Sequence, residues 1–441
     1  MKKNGFTLVE LLAVISILAI LIIVAMPNII KTFFTSQEKT FTTEISTILD
    51  TAKTAFISDT IFNPQKKLYC NTQDCEGTKL DLSSSEDLKY SIKLSRDGEV
   101  MCFQVTNGTF YYVRQGHVDK ETIKQDIFYT SEKTSDFVPD CTYSVNYKNN
   151  ERINVLNIYP DSTSGSYPIT QISGTYNQCT NYKKLKSSSL KDWMESPSEE
   201  APNGYGKGII KVIPVTFTQF KNNPNPDYWV SNYYNNNCIV DNVEEGTNLN
   251  RTKADIILIG TWDGNGDVTY NTQTLDALEN WTKSGKPIIA GHDVIIRQLS
   301  NSVPLTDRLS ELFGMEVKTG TSTTSNKVHI LANKKRNVFT SWPWMIMNGG
   351  ENGVDGLTIP PTHSTGQIVK KGEVWITLGD SIITEEASKN NNFYLATYNN
   401  TAMIQTGHSN CQATSDEQKI IANTIFFMYY KHVLKESGDE L

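Results

Sequence analysis

The chain opens on its longest unbroken apolar stretch. Residues 11–26 (LLAVISILAILIIVAM) follow a short leader, Met1-Lys2-Lys3-Asn4-Gly5, and end at Pro27. A run of about 20 such residues is long enough to span a bilayer. Beyond Pro27 apolar residues recur at helical spacing, at Ile29, Ile30, Phe33, Phe34, Phe41, Ile45, Ile48, Leu49, Ala52, Phe56 and Ile57, with Thr and Ser filling the other face. The spacing predicts one long helix over residues 6–58, roughly 80 Å from end to end. Pro27 removes a hydrogen bond and crowds the preceding turn, so a kink or break is expected near Ala25.

Over residues 59–148 the rhythm changes to alternation. Residues 88–94, 100–106 and 109–113 alternate apolar and polar positions, separated by Arg96-Asp97-Gly98 and Asn107-Gly108. Asp-Gly and Asn-Gly between alternating runs signal hairpins in which both turn residues take positive φ. The pattern predicts an α+β head, a small antiparallel sheet against which the second half of the long helix packs.

The apolar periodicity stops around residues 146–151 (NYKNNE), and a domain boundary is expected near residue 148. Short, nearly continuous apolar runs take over: 152–159 (RINVLNIY), 208–217 (GIIKVIPVTF), 254–262 (ADIILIGTW), 286–291 (KPIIAG), 373–378 (EVWITL) and 402–406 (AMIQT). Runs of this kind are buried on both faces of a parallel sheet. Helical patterns at 272–284, 306–313 and 415–434 alternate with them, which predicts a doubly wound α/β layer over residues 149–441.

The amino terminus carries a specific chemistry. Gly5-Phe6-Thr7-Leu8-Val9-Glu10 places one carboxylate inside the apolar segment, at a cost of about 2.5–3.5 kcal/mol at membrane depth, so it calls for a partner. A cut after Gly5 would free the α-amino group of Phe6 as a cation. A helix cannot fold its first residue onto its fifth, so the natural partner is the terminus of a neighbouring subunit. On these residues the chain resembles the type IV prepilins. The resemblance implies a leader at residues 1–5 removed by a prepilin peptidase, N-methylation of Phe6, pairing of Glu10 with the next subunit's terminus, and local melting of the helix at Pro27. It further implies that residues 6–27 sit in the cytoplasmic membrane before assembly and in the core of an extracellular pilus afterwards, joined to other pilin subunits. A head of this bulk cannot pack at every helical step of a shaft, so the implied role is that of a minor subunit displaying an accessory domain for adhesion to a host or bacterial surface. A pseudopilin of a secretion piston is a further reading.

The second region has a resemblance of its own, carried by residues 255–263 (DIILIGTWD), the helix with Leu275, Leu278 and Trp281, residues 285–293 (GKPIIAGHD) and residues 403–408 (MIQTGH). It resembles the class I glutamine amidotransferase-like fold, a flavodoxin-like α/β architecture. Enzymes of that fold place a nucleophilic cysteine in the turn that here reads Gly291-His292-Asp293, and an acidic residue where Asn410 follows His408. A base without its nucleophile performs no acyl transfer, so the resemblance implies a non-catalytic scaffold. Asp263, His292, Asp293 and His408 nevertheless fall past the ends of predicted strands, where open α/β sheets bind ligands. There they could hold zinc or another divalent metal, or simply cap helices and brace loops. A pilus-displayed hydrolase or ligand-binding domain is the alternative function. Asp263-Gly-Asn-Gly-Asp267 begins like a calcium loop, but Val268 and Thr274 stand where the turn glycine and the bidentate glutamate belong, so a plain Gly-rich turn is expected.

A net charge of -7, a pI near 5.5 and the lack of a basic stripe argue against nucleic acid as a partner. Cys70, Cys75, Cys102 and Cys141 fall in the head, and Cys179, Cys238 and Cys411 in the addition. Disulfides, free thiols and a tetrathiolate zinc site all stay open for the first four. Residues 228–238 (YWVSNYYNNNC) and 322–326 read as surface loops suited to glycans or protein surfaces. Trp342-Pro343-Trp344 reads as either a ligand-edge lining or a core plug.

Overall fold

The computed structural model describes residues 8–61, 65–73, 75–82, 88–116, 118–129, 137–142, 152–159, 189–235, 252–260, 270–291, 294–295, 303–318, 324–334, 338–350, 353–364, 366–406 and 413–437, with side chains of the first helix from residue 31 on. That helix, α1 (Leu8–Thr60), runs for 53 residues. It continues through Pro27, so of the expected kink or break no break occurs. Proline deletes one hydrogen bond from a long ladder, and the turns on both sides keep theirs. Threonines on its exposed face donate to the carbonyl four residues back, as Thr42 does to Glu38 and Thr51 to Thr47, both at 2.8 Å, which accommodates β-branched polar residues in a helix.

From Phe41 onward the predicted stripe is buried: Phe41, Ile45, Ile48, Leu49, Ala52 and Phe56 are each at most 7% exposed. They pack on an antiparallel sheet of β1 (Lys67–Cys70), β2 (Lys89–Leu94), β3 (Val100–Thr106), β4 (Phe110–Gln115) and β5 (Ile127–Tyr129), paired in chain order. Ile92, Leu94, Phe103, Val105, Phe110 and Tyr112 supply the sheet's side of that core. The three central strands match the alternating runs. The short edges β1 and β5 were invisible to pattern, because three or four residues cannot establish a period. A short helix, α2 (Lys120–Gln125), precedes β5.

Both hairpins form, but their turns differ from expectation. Only the glycines, Gly98 at φ +80° and Gly108 at φ +86°, take positive φ, while Asp97 and Asn107 do not. The Ser95 and Glu99 backbones close a longer connection (2.8 Å). The Asn107 side chain accepts from the Thr109 and Phe110 N–H groups at 3.0 and 2.8 Å, the local bond that makes Asn a turn residue without positive φ.

The four head cysteines are joined as Cys70–Cys75 and Cys102–Cys141, with Cα separations of 6.0 and 5.6 Å, inside the span a disulfide bridges. Paired in this way they leave no thiolate set for zinc. Cys179, Cys238 and Cys411 lie outside the described residues.

The second region is built on nine strands: β6 (Ile153–Tyr159), β7 (Ile210–Thr216), β8 (Ile256–Ile259), β9 (Ile288–Ala290), β11 (Ser325–Ile330), β12 (Leu357–Thr362), β14 (Glu373–Leu378), β15 (Phe393–Tyr398) and β16 (Thr401–Ile404), in the order β12-β11-β14-β15-β16-β9-β8-β6-β7. A separate antiparallel pair joins β10 (Met315–Val317) and β13 (Gln367–Val369). The half β7-β6-β8-β9-β16 is parallel throughout. Its continuous apolar runs are explained by two cores. Val155, Ile256 and Leu258 point into one with α3 (Ser189–Glu195), α8 (Val338–Ser341) and α10 (Ser415–Ser437). Leu156, Ile158, Ile257 and Ile259 point into the other with α4 (Phe217–Asn222), α5 (Pro226–Asn235), α6 (Thr272–Lys283) and α7 (Val303–Leu312). One short helix, α9 (Glu385–Lys389), follows β14.

Two expectations fail here. Residues 373–378 do not join the parallel set: β14 pairs antiparallel with β11 and β15. Burial on both faces makes a strand apolar throughout whichever way it runs, so composition did not report direction. Residues 228–235 are not an exposed loop but most of α5, whose Trp229, Val230, Tyr233 and Tyr234 are buried while Tyr228 stays exposed. Trp342 and Trp344, at 0% and 2% exposure, resolve as a core plug, held by Asn423, whose Oδ1 accepts from the Trp344 N–H (3.0 Å) and whose amide donates to the Trp344 carbonyl (2.6 Å).

The two sheets meet along a seam. Asp126, at the start of β5, accepts from Arg114 and, across the seam, from Lys207, each at 2.7 Å. Phe128 of β5 lies edge-on to Trp344 with ring centres 5.5 Å apart.

The disulfides close loops of unequal length, 39 residues for Cys102–Cys141 against 5 for Cys70–Cys75. Loop-closure entropy then makes the first worth about 4 kcal/mol and the second about 2. Urea unfolding of the Cys102→Ser/Cys141→Ser and Cys70→Ser/Cys75→Ser variants measures the difference, and a larger loss from the second pair contradicts the assignment.

Candidate functional site

Of the residues that the amino-terminal motif singles out, Gly5 and Phe6 lie outside the described residues, whereas Glu10 and Pro27 belong to α1. Residues 31–40 of this helix are exposed, with Phe33 58% so, except for half-buried Phe34, whose ring meets Tyr129 of β5 at 4.9 Å, and full burial begins at Phe41. Glu10 stands 31 residues before Phe41 in this helix, roughly 45 Å along a straight axis. Among the described residues no helix is long and apolar enough to cross a membrane. Side chains are described only from residue 31, beyond the run at 11–26 that suggested a span.

The second candidate is the end of the parallel sheet where β8, β9 and β16 finish side by side. The Gly260 N–H donates to the Ile158 carbonyl (2.9 Å) and the Gly291 N–H to the Ile259 carbonyl (2.8 Å), so the strand pairing persists to the last residue. A Cβ on Gly291 would overlap the Gly260 carbonyl oxygen and approach the Thr406 carbonyl oxygen to 3.2 Å. Glycine at 291 thus lets three strand exits converge. Asp263 follows the first exit, His292 and Asp293 the second, and His408 the third. All four lie outside the described residues, as do Asp267 and Asn410. The fold brings their strand ends together. Among the described residues no cluster of His, Cys, Asp and Glu is placed to hold a metal ion.

Behind these exits is a buried polar network that the sequence reading missed. Glu417, 2% exposed, accepts from the Thr406 hydroxyl at 2.7 Å and from the Tyr394 hydroxyl at 3.1 Å. Burial, with the Glu417 charge and hydrogen bond adding to it, pushes the Tyr394 phenol well above its ordinary range and keeps it a donor. The Thr414 hydroxyl accepts from the Glu417 N–H at 3.1 Å, the bond of an N-cap at the head of α10. Thr414-Ser415-Asp416-Glu417 has the spacing of a capping box, a signal that would have marked Glu417, although its carboxylate turns inward. Gln405, one residue before Thr406, donates to Gln367 (3.3 Å), while its Oε1 is buried without a hydrogen-bond partner among the described residues. An orphaned acceptor of that kind costs about 1–3 kcal/mol, and it lies one residue past the end of β16, beside the strand exits.

Residues 1–26 match the family model of the prokaryotic N-terminal methylation motif. The chain thus carries a type IV prepilin-like amino-terminal signal. Among solved structures it is similar to a protein described as ThuA-like from Bacteroides uniformis, with 11% identity over 65% of this chain and 95% of that one and a TM-score of 0.35. It is also similar to a beta-galactosidase from Rahnella sp. R3, with 9% identity over 66% of this chain and 32% of that one and a TM-score of 0.30. Likenesses this distant say nothing of activity. No curated protein matches the chain.

Replacing Gly291 by Ala forces a methyl group into the backbone of a neighbouring strand, which no side-chain rotation relieves. The expected loss is about 3 kcal/mol or more, the upper range for overpacking, against less than about 1 kcal/mol for Ala at an open, exposed site. Thermal melts of Gly291→Ala test the convergence of the strand exits, and an unchanged midpoint contradicts it.

Proposed function

We propose that the protein is a minor type IV pilus subunit, cleaved after Gly5 by a prepilin peptidase, N-methylated on Phe6, and assembled through its first helix with an enlarged head displayed for adhesion or surface contact. The match of residues 1–26 to the N-terminal methylation motif carries this reading. It gains support from a 53-residue helix whose apolar run at residues 11–26 lies well before the stripe that the head buries from Phe41 onward. In this reading residues 1–5 are the leader, 6–58 the assembly helix with 6–27 in membrane or filament core, 59–148 a pilin head and 149–441 the displayed domain. The partners are other pilin subunits through their first helices, and the surface contacted is that of a host or a neighbouring bacterium.

The displayed domain is read as an amidotransferase-like scaffold without catalysis. Its parallel strands run in the order second-first-third-fourth-fifth along the sheet, the arrangement of flavodoxin-like folds. The turn after β9 reads Gly291-His292-Asp293, with no cysteine to act as nucleophile.

Glu10→Gln keeps the size and polarity of the side chain and removes its charge. Losing a charge-assisted bond to the neighbouring α-amino group should lower incorporation into sheared filaments by about tenfold or more, with the protein retained in the membrane fraction. Quantitative immunoblots of both fractions read this out, and undiminished incorporation would overturn the assembly role of Glu10.

A further inference from the structure

The seam between the two sheets encloses a cavity of about 200 Å³. Arg114 and Asp126 line it from the head, and Arg152, Lys207 and Trp344 from the second region. Three cations thus share its wall with one carboxylate. Asp126 is 1% exposed and commits both oxygens, Oδ2 to Arg114 and Oδ1 to Lys207. Arg152, half-buried, has no ion-pair partner among the described residues.

The loop that presents Lys207 is held for its side chain. Lys207 sits at φ +53°, between Gly206 and Gly208, a left-handed conformation that costs a non-glycine residue about 1–2 kcal/mol. A third glycine would satisfy this backbone without strain. What lysine adds is an ammonium on Asp126 that lies 4.2 Å from the Trp344 ring centre and 4.9 Å from that of Phe128. The turn itself is fixed, since the Lys207 N–H donates to the Gly204 carbonyl and the Gly208 N–H to the Asn203 carbonyl, both at 3.0 Å. A Cβ on Gly204 would overlap the Met194 carbonyl.

Cavities at domain interfaces are common ligand sites, at about 300–1,000 Å³ for drug-sized molecules. This one is smaller and suits a single ring. A guanidinium fork matches a carboxylate in two parallel bonds, and Asp126 in the same wall opposes a second negative charge on the ligand. We propose that the seam cavity binds a small monocarboxylate about the size of one uronic-acid sugar, with Arg152 holding the carboxylate. The site is separate from the strand exits near Gly291 and does not depend on the pilus reading.

The test titrates D-glucuronate, D-glucose and inorganic phosphate into the full-length protein in detergent micelles, followed by calorimetry and tryptophan fluorescence. Glucuronate should bind at millimolar concentration or below and glucose should not. Arg152→Ala should weaken glucuronate by about tenfold or more, Arg152→Lys should recover part of that, and neither variant should shift the melting midpoint. Absence of glucuronate binding, glucose binding equally well, phosphate binding more tightly than glucuronate, or affinity unchanged in Arg152→Ala each overturns the proposal.

Discussion

One geometric constraint governs the molecule: α1 is a single helix of 53 residues, about 80 Å long. Among its described side chains Phe34 is the first to meet the head, and full burial begins at Phe41. The stripe that the sheet buries and the apolar run at residues 11–26 lie at opposite ends of that length. In the proposed reading the first part finds its environment outside the chain, and the lone carboxylate of Glu10 within it narrows what that environment must contain. Continuity of the helix through Pro27 matters for the same reason, because it keeps the leading segment mechanically joined to the head.

The rest of the architecture fixes a large second region to that helix. The sheet packed on α1 is closed by a disulfide from β3 to the segment at 137–142, and its last strand carries Phe128 and the adjoining Asp126 to the seam. Asp126 is nearly inaccessible and answers two cations, one from each side of the seam. Removing one member of such a buried set strands the others at a cost of several kcal/mol, which makes it a poor place for a hinge.

Legibility in the sequence followed the kind of pattern. The helix, the three central head strands and α6, α7 and α10 repeat over enough residues to be read, and the five parallel strands show as nearly continuous apolar runs even where only three or four residues pair. β1 and β5 do not, and the direction of β14 left no trace in a run that is apolar because both faces are covered. The aromatic cluster of α5 misled because Asn and Tyr dominate its composition while the helical spacing of Trp229, Val230, Tyr233 and Tyr234 decides its burial. At the candidate sites, the glycine convergence at 260 and 291 was implicit in the strand-end motifs, and Glu417 sat in an unread capping box. The seam cavity was beyond reach, since Arg114, Arg152, Lys207 and Trp344 are far apart in sequence and share no local pattern.

The most direct test of the central claim, that the chain enters a filament by its first helix after losing its leader, is the amino-terminal residue of protein recovered from sheared surface filaments. Mass spectrometry of the terminal peptide should find a methylated phenylalanine, Phe6, as the first residue. Material that still begins at Met1, or no trace of the chain in those filaments, would contradict the account.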